Sequence, residues 1–184
     1  MNSTKVSYFL LTLSMILISQ SPMLALGDSL FEIICKDDLK ETIVCLQLLK
    51  TDPQISSATN YFDLSIFIMD FALKKGIEGQ NFFINLGKKN PSQAINQCAT
   101  IYYNSIITAF KGGKRELKEH ADIARYETTV AGDGSKNCSS AIEAEKISNP
   151  AIDDINDKMS ILSDAAFIAV VHYENEKRNN GIGL

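Results

Sequence analysis

Seven apolar positions, Ile152, Ile155, Met159, Leu162, Ala166, Ala169 and Tyr173, recur at alternating intervals of three and four residues. On an α-helix this spacing lines up a single stripe that must be buried against a partner, so the chain is committed to helix packing. Asn149-Pro150 marks the start of that helix, and Asp153, Asp154 and Asp157 place negative charge toward its positive end. A second stripe, Ile95, Ala99, Tyr102, Ile106 and Ala109, follows Asn90-Pro91-Ser92. A third set, Leu64, Phe67, Ile68 and Phe71, follows Asp52-Pro53 and a polar stretch. The segment from Leu117 to Ile147 is less regular, and its Gly132-Asp133-Gly134 predicts a kink or break. Gly112-Gly113 and Asn149-Pro150 read as short connections between antiparallel neighbours. The expected fold is all-α, an up-down four-helix bundle. With only 10 Gly and 4 Pro in 184 residues, the chain lacks the punctuation that a sandwich or barrel of many short strands requires.

Charge and residue stock narrow the function. There are 18 basic and 22 acidic residues, a net charge of −4, so no broad basic face for nucleic acid is expected. Lys111, Lys114, Arg115 and Lys118 read as a solvated helix end. His120 and His172 have no Cys, Asp or His partner at a metal-ligand spacing, and both read as solvated or edge residues. Gly132-Asp133-Gly134-Ser135 has no preceding strand and no following Gly-Lys-Ser/Thr, so it does not read as a phosphate cradle. No nucleophile–base pair is legible. The expectation is a chain that is not an enzyme, with no catalytic residues, no metal and no cofactor.

The N-terminal residues predict the compartment. Lys5 precedes an apolar run from Val6 to Ile18, then the polar Ser19-Gln20-Ser21-Pro22 and the small-residue stretch Ala25-Leu26-Gly27. This order predicts a secretory signal over residues 1–27, cut after Gly27, with an apolar core too short for a membrane span. The mature chain, Asp28–Leu184, is then expected to carry one helical domain over 28–178, a short flexible tail over 179–184 and no membrane segment.

In an oxidising compartment Cys35, Cys45, Cys98 and Cys138 read as two disulfides, for which three pairings are possible. We take sequential pairing as the expectation. On one straight helix Cys35 and Cys45 would lie about 15 Å apart, whereas a disulfide needs Cα atoms within about 7 Å. A Cys35–Cys45 bond therefore requires the chain to turn back near Lys36-Asp37-Asp38, giving a stapled N-terminal α-hairpin. A Cys98–Cys138 bond would tie two longer elements together. Asn137-Cys138-Ser139 is a glycosylation sequon whose middle residue is one of these cysteines.

Four cysteines after a signal, the first pair close and the second about 40 apart, resemble the plant invertase/pectin methylesterase inhibitor family. Cys45-Leu46-Gln47-Leu48-Leu49-Lys50-Thr51-Asp52-Pro53 is similar to that family's run from its second cysteine into an Asp-Pro turn. Cys98 followed by Tyr102 matches its third cysteine with a tyrosine four residues on, and Leu162-Ser163-Asp164 resembles its last helix. The resemblance covers about residues 30–175. It implies an N-terminal α-hairpin on a four-helix bundle, with disulfides paired first to second and third to fourth.

It also implies a non-enzymatic protein inhibitor, monomeric when free, that occludes a carbohydrate-active cleft in a one-to-one complex. The expected partner is pectin methylesterase in the cell-wall space (the apoplast), with acid invertase of wall or vacuole as the alternative. Invertase inhibitors of the family can carry a Pro-Lys-Phe motif, and the matching stretch here, Ala121-Asp122-Ile123, departs from it at all three positions. On the resemblance, the candidate target-contact segment is Glu119, His120, Ala121, Asp122 and Ile123. A secreted helical bundle without an enzyme target is the third reading, and an apolar cavity of about 300 Å³ or more would favour it.

Overall fold

The computed structural model describes residues 27–37 and 41–181; residues 1–26 of the expected signal, Asp38 of the expected turn with residues 39–40, and residues 182–184 lie outside them. Helices α1 (Leu30–Asp37) and α2 (Thr42–Leu49) form an N-terminal hairpin, and a short α3 (Pro53–Ser57) leads into α4 (Tyr61–Lys89). Then come α5 (Gln93–Gln97), a π-helical turn over Cys98–Tyr102, and α6 (Tyr103–Glu116). The long helices α7 (Ala121–Ala144) and α8 (Pro150–Asn179) complete the chain. Among the described residues there is no strand. Helix α6 packs on α4 and α7, α7 on α8, and α8 on α4, which closes an up-down four-helix bundle. The hairpin lies against α4 and α8.

Four of the helices, α3, α4, α5 and α8, begin where a side chain supplies an acceptor for unpaired backbone N–H groups. Asp52 accepts from Gln54 N at 2.9 Å with Pro53 in the first turn, and Asn60 Oδ1 accepts from Asp63 N at 2.8 Å. Asn149 Oδ1 accepts from Ala151 N at 3.0 Å, again before a proline. Ser92 Oγ accepts from Ile95 N at 3.1 Å and donates to Glu145 Oε2 at 2.6 Å. Glu145 Oε1 also accepts from Ala94 N at 2.9 Å, so one carboxylate joins the end of α7 to the start of α5.

The bonds from Ser92 and Ala94 hold the Glu145 carboxyl below its ordinary pKa of 4.5. A depressed acid stabilises the fold above its ordinary pKa, and that contribution is lost as pH falls through the lower folded value. Glu145→Gln is therefore expected to lower Tm at neutral pH, with the two melting temperatures converging in acid. Parallel melting curves at every pH would remove this role.

The stripes pack as expected. Ile152, Met159, Leu162, Ala166 and Ala169 are buried from α8, Leu64, Ile68 and Phe71 from α4, and Ile95, Ala99, Ile106 and Ala109 from the second stripe. Glycines let these helices approach closely. Gly112 and Gly113, expected as a connection, lie inside α6, and the chain turns instead at residues 117–120. Of the kink or break expected at Gly132-Asp133-Gly134, no break occurs, since α7 runs through it without interruption. A Cβ on Gly132 would sit 2.6 Å from Ser163 Oγ, and one on Gly134 would sit 2.6 Å from Ile106 and 3.0 Å from the Tyr102 carbonyl oxygen. At these glycines neighbouring helices occupy the space that a side chain would fill.

The tightest approach is at Gly79, where a Cβ would lie 2.2 Å from the Tyr103 ring. That ring cannot swing away freely. It is buried, and its hydroxyl donates to Asn156 Oδ1 at 2.9 Å, while Asn156 Nδ2 donates to Ser139 Oγ at 3.0 Å. Desolvation pushes the Tyr103 phenol well above its ordinary pKa, keeping it a neutral donor. Gly79→Ala gains helix propensity of about 1 kcal/mol, yet overpacking against a pinned ring is expected to outweigh it, for a net loss of about 1–2 kcal/mol. Equilibrium urea unfolding measures it, and a variant more stable than the parent would contradict it.

The π-helical turn has its own compensation. Widening a helix by one residue frees a carbonyl from its usual partner. The Gln80 side chain, reaching from α4, donates to the Ala99 carbonyl oxygen at 2.9 Å. Both expected disulfides are present. Cys35–Cys45 spans 5.7 Å between Cα atoms, and Cys98–Cys138 spans 5.0 Å and joins the π-helical turn to α7. The hairpin is pinned further where His172 Nε2 meets Asp37 Oδ2 at 2.9 Å and its ring stacks on Tyr61 at 4.5 Å. His172, expected as an edge residue, joins α8 to α1.

Candidate functional site

The expected contact segment occupies one end of the bundle, where residues 117–120 turn the chain into α7. His120 stands at the N-cap of α7 without a side-chain cap bond, and Asp122 lies in the first turn near the positive helix end. Glu119, His120, Asp122 and Ile123 are exposed. Ala121 is buried, so its side chain anchors the segment to the bundle rather than facing outward. Glu119, His120, Ala121 and Asp122, but not Ile123, form one wall of an open cleft of about 680 Å³ whose other wall is the last turns of α8, including Val171, Glu174 and Lys177.

Polar contacts fix the backbone at this end. Lys177 Nζ donates to the Lys118 carbonyl oxygen at 3.1 Å, and its ammonium sits 5.7 Å from the centre of the Tyr173 ring. Tyr173 packs in turn on Phe62 at 5.3 Å, and its hydroxyl is raised above the ordinary pKa by desolvation and by the nearby Glu119 charge. Arg125 Nε meets Glu174 at 3.4 Å, and the guanidinium carbon lies 5.8 Å from the Phe167 ring centre. The segment is thus displayed on a braced frame rather than on a loose loop.

Beside it stands Tyr126, 67% exposed, with Ile123 at 41% one turn earlier on α7. A separate shallow groove of about 390 Å³ is lined by Ile101, Thr108, Glu127 and Val130. Sequence reasoning missed Tyr126. Its signal was weak, because the irregular pattern of this helix does not separate inward from outward positions. Aromatic side chains that are exposed beside aliphatic ones are the common anchors of protein interfaces.

Other sequence candidates are dispersed. Within the basic cluster, Lys114 pairs with Asp70 of α4 and Arg115 Nε with Glu116 at 2.7 Å, while Lys111 and Lys118 are exposed. Asp154 pairs with Lys158 at 2.7 Å along α8. Asn137 is exposed on α7. Among the described residues no group of three or more His, Cys, Asp or Glu side chains could hold a metal ion. No described helix is long and apolar enough to cross a membrane.

No family model and no curated protein sequence matches the chain. Solved structures do. A crystal structure of mutant form A of a pectin methylesterase inhibitor from Arabidopsis superposes with a TM-score of 0.68, covering 78% of this chain and 97% of that one at 15% identity. The chain has the fold of a pectin methylesterase inhibitor. A second structure, of a pectin methylesterase inhibitor from Arabidopsis thaliana, matches with a TM-score of 0.57 over 77% of this chain and 93% of that one, also at 15% identity. A pectin methylesterase inhibitor fold at so low an identity retains its core pattern while its surface is free to differ.

Proposed function

We propose that the chain is a secreted inhibitor of pectin methylesterase, acting in the apoplast by a one-to-one complex that blocks the enzyme's active-site cleft. The observation that carries this reading is the likeness of the described bundle to a pectin methylesterase inhibitor over 97% of that protein's length. On this reading the chain is not itself a catalyst, and it is a monomer until it meets its target. Inhibition by occlusion needs a preformed surface, because ordering a mobile one on binding costs affinity. Two disulfides and the braced end of the bundle supply that surface.

The docking edge is assigned to Glu119, His120, Asp122 and Ile123, with Tyr126 as the aromatic anchor and buried Ala121 fixing the backbone beneath them. The Pro-Lys-Phe stretch of invertase inhibitors has no counterpart at Ala121-Asp122-Ile123, which supports the esterase over the invertase as partner. The test is size-exclusion chromatography with light scattering on oxidised Asp28–Leu184 mixed with a plant pectin methylesterase. A single species with the summed mass of one copy of each is expected. Two unshifted peaks at micromolar concentrations would refute the complex.

A further inference from the structure

We propose that Asn137 is an N-glycan acceptor open only until the Cys98–Cys138 bond closes, so that glycan attachment and disulfide formation compete for one segment of the nascent chain. The proposal rests on the secretory part of the reading above. Asn137, Cys138 and Ser139 form a sequon, and the fold puts all three in the middle of α7. Residues two apart on a helix face different sides. Asn137 and Ser139 are both exposed, but they point in different directions: Ser139 Oγ is tied to Asn156 Nδ2, from which it accepts a bond at 3.0 Å, and Cys138 between them is fully buried in its disulfide.

Glycan transfer requires the asparagine amide and the serine hydroxyl to enter one enzyme cleft together. A helix held by a disulfide on its middle residue and by a hydrogen bond on its third cannot present them so. Once attached, however, a glycan on exposed Asn137 meets no packed neighbour, and the bundle can close around its base. The chemistry is balanced on both branches. On one, Asn137 Nδ2 loses a proton and forms a bond to the anomeric carbon of a polyprenyl-diphosphate-linked oligosaccharide, and the polyprenyl diphosphate leaves with the electron pair. On the other, the Cys98 and Cys138 thiols give up two protons and two electrons to the disulfide of an oxidoreductase.

The experiment is translation of the full chain into microsomes, with the glycosylated fraction read from the mobility shift removed by a glycosidase. Protease protection reports entry independently. A second version, with residues 1–27 replaced by a proven secretory signal, separates failure of the native signal from failure of this proposal. Under oxidising conditions the chain is expected to be glycosylated in part, and Asn137→Gln is expected to abolish the shift. Cys98→Ala, which leaves the sequon intact, is expected to raise the glycosylated fraction roughly twofold or more, as should added dithiothreitol. The double variant Cys35→Ala/Cys45→Ala disturbs folding without touching the Cys98–Cys138 bond, and is expected to leave the fraction unchanged. Full occupancy in the unaltered chain, no occupancy in Cys98→Ala, or an equal rise in the Cys35/Cys45 variant would each overturn the proposal.

Discussion

Replacing Cys98 and Cys138 together by alanine is expected to lower unfolding free energy by about 4 kcal/mol. The bond closes a loop of 40 residues, and its removal returns that loop's freedom to the unfolded chain. In the native state it fixes the π-helical turn against α7, where both sulfurs are buried and Gly134 leaves no slack against Ile106. The double substitution avoids stranding a reactive thiol. Cys35→Ala/Cys45→Ala opens a loop of only 10 residues and is expected to cost about 3 kcal/mol. Denaturant unfolding of the oxidised variants decides the order. A loss below about 1 kcal/mol for the Cys98/Cys138 pair would show that packing alone holds the two helices in register.

Tyr126→Ala is expected to weaken inhibition of pectin methylesterase by about 2 kcal/mol, roughly 30-fold in the inhibition constant. The side chain is 67% exposed and contributes little to the core, so stability should change by no more than about 0.5 kcal/mol. Its neighbour Ile123 and the braced Glu119–Asp122 backbone give it a rigid setting. The control is Ile43→Ala. Ile43 is 71% exposed on α2, part of the separate N-terminal hairpin, and its loss should leave inhibition unchanged. Equal effects from the two substitutions, or none from Tyr126→Ala, would move the docking face away from α7.

How much of this was legible in the sequence differs by element. The stripe from Ile152 to Tyr173 announced α8 because its period is a direct consequence of one buried face, and the Asn149-Pro150 start is a purely local signal. The hairpin followed from covalent geometry, since Cys35 and Cys45 cannot bond along one helix. The glycines misled. Gly112-Gly113 and Gly132-Asp133-Gly134 carry the local signature of turns, yet they sit within helices because Met69, Glu127, Ser163 and Ile106 occupy the space beside them. That fact belongs to residues far away in the chain. The π-helical turn was equally hidden, since the residue that satisfies its freed carbonyl is Gln80, on a different helix.

The candidate site was half legible. The resemblance to the inhibitor family pointed to residues 119–123, but it could not separate the buried Ala121 from its exposed neighbours. Nor could it find Tyr126, whose exposure is set by how α7 rolls against α6 and α8.

The most direct measurement is a paired inhibition titration of oxidised Asp28–Leu184 against a plant pectin methylesterase and a plant acid invertase, each at acidic and at neutral pH. The expected result is complete loss of pectin methylesterase activity at one equivalent, with invertase activity unchanged. Loss of invertase activity alone would contradict the assigned partner and would mean that Ala121-Asp122-Ile123 serves where Pro-Lys-Phe is absent. Full activity of both enzymes would leave the bundle intact as a fold and end its assignment as an inhibitor of either.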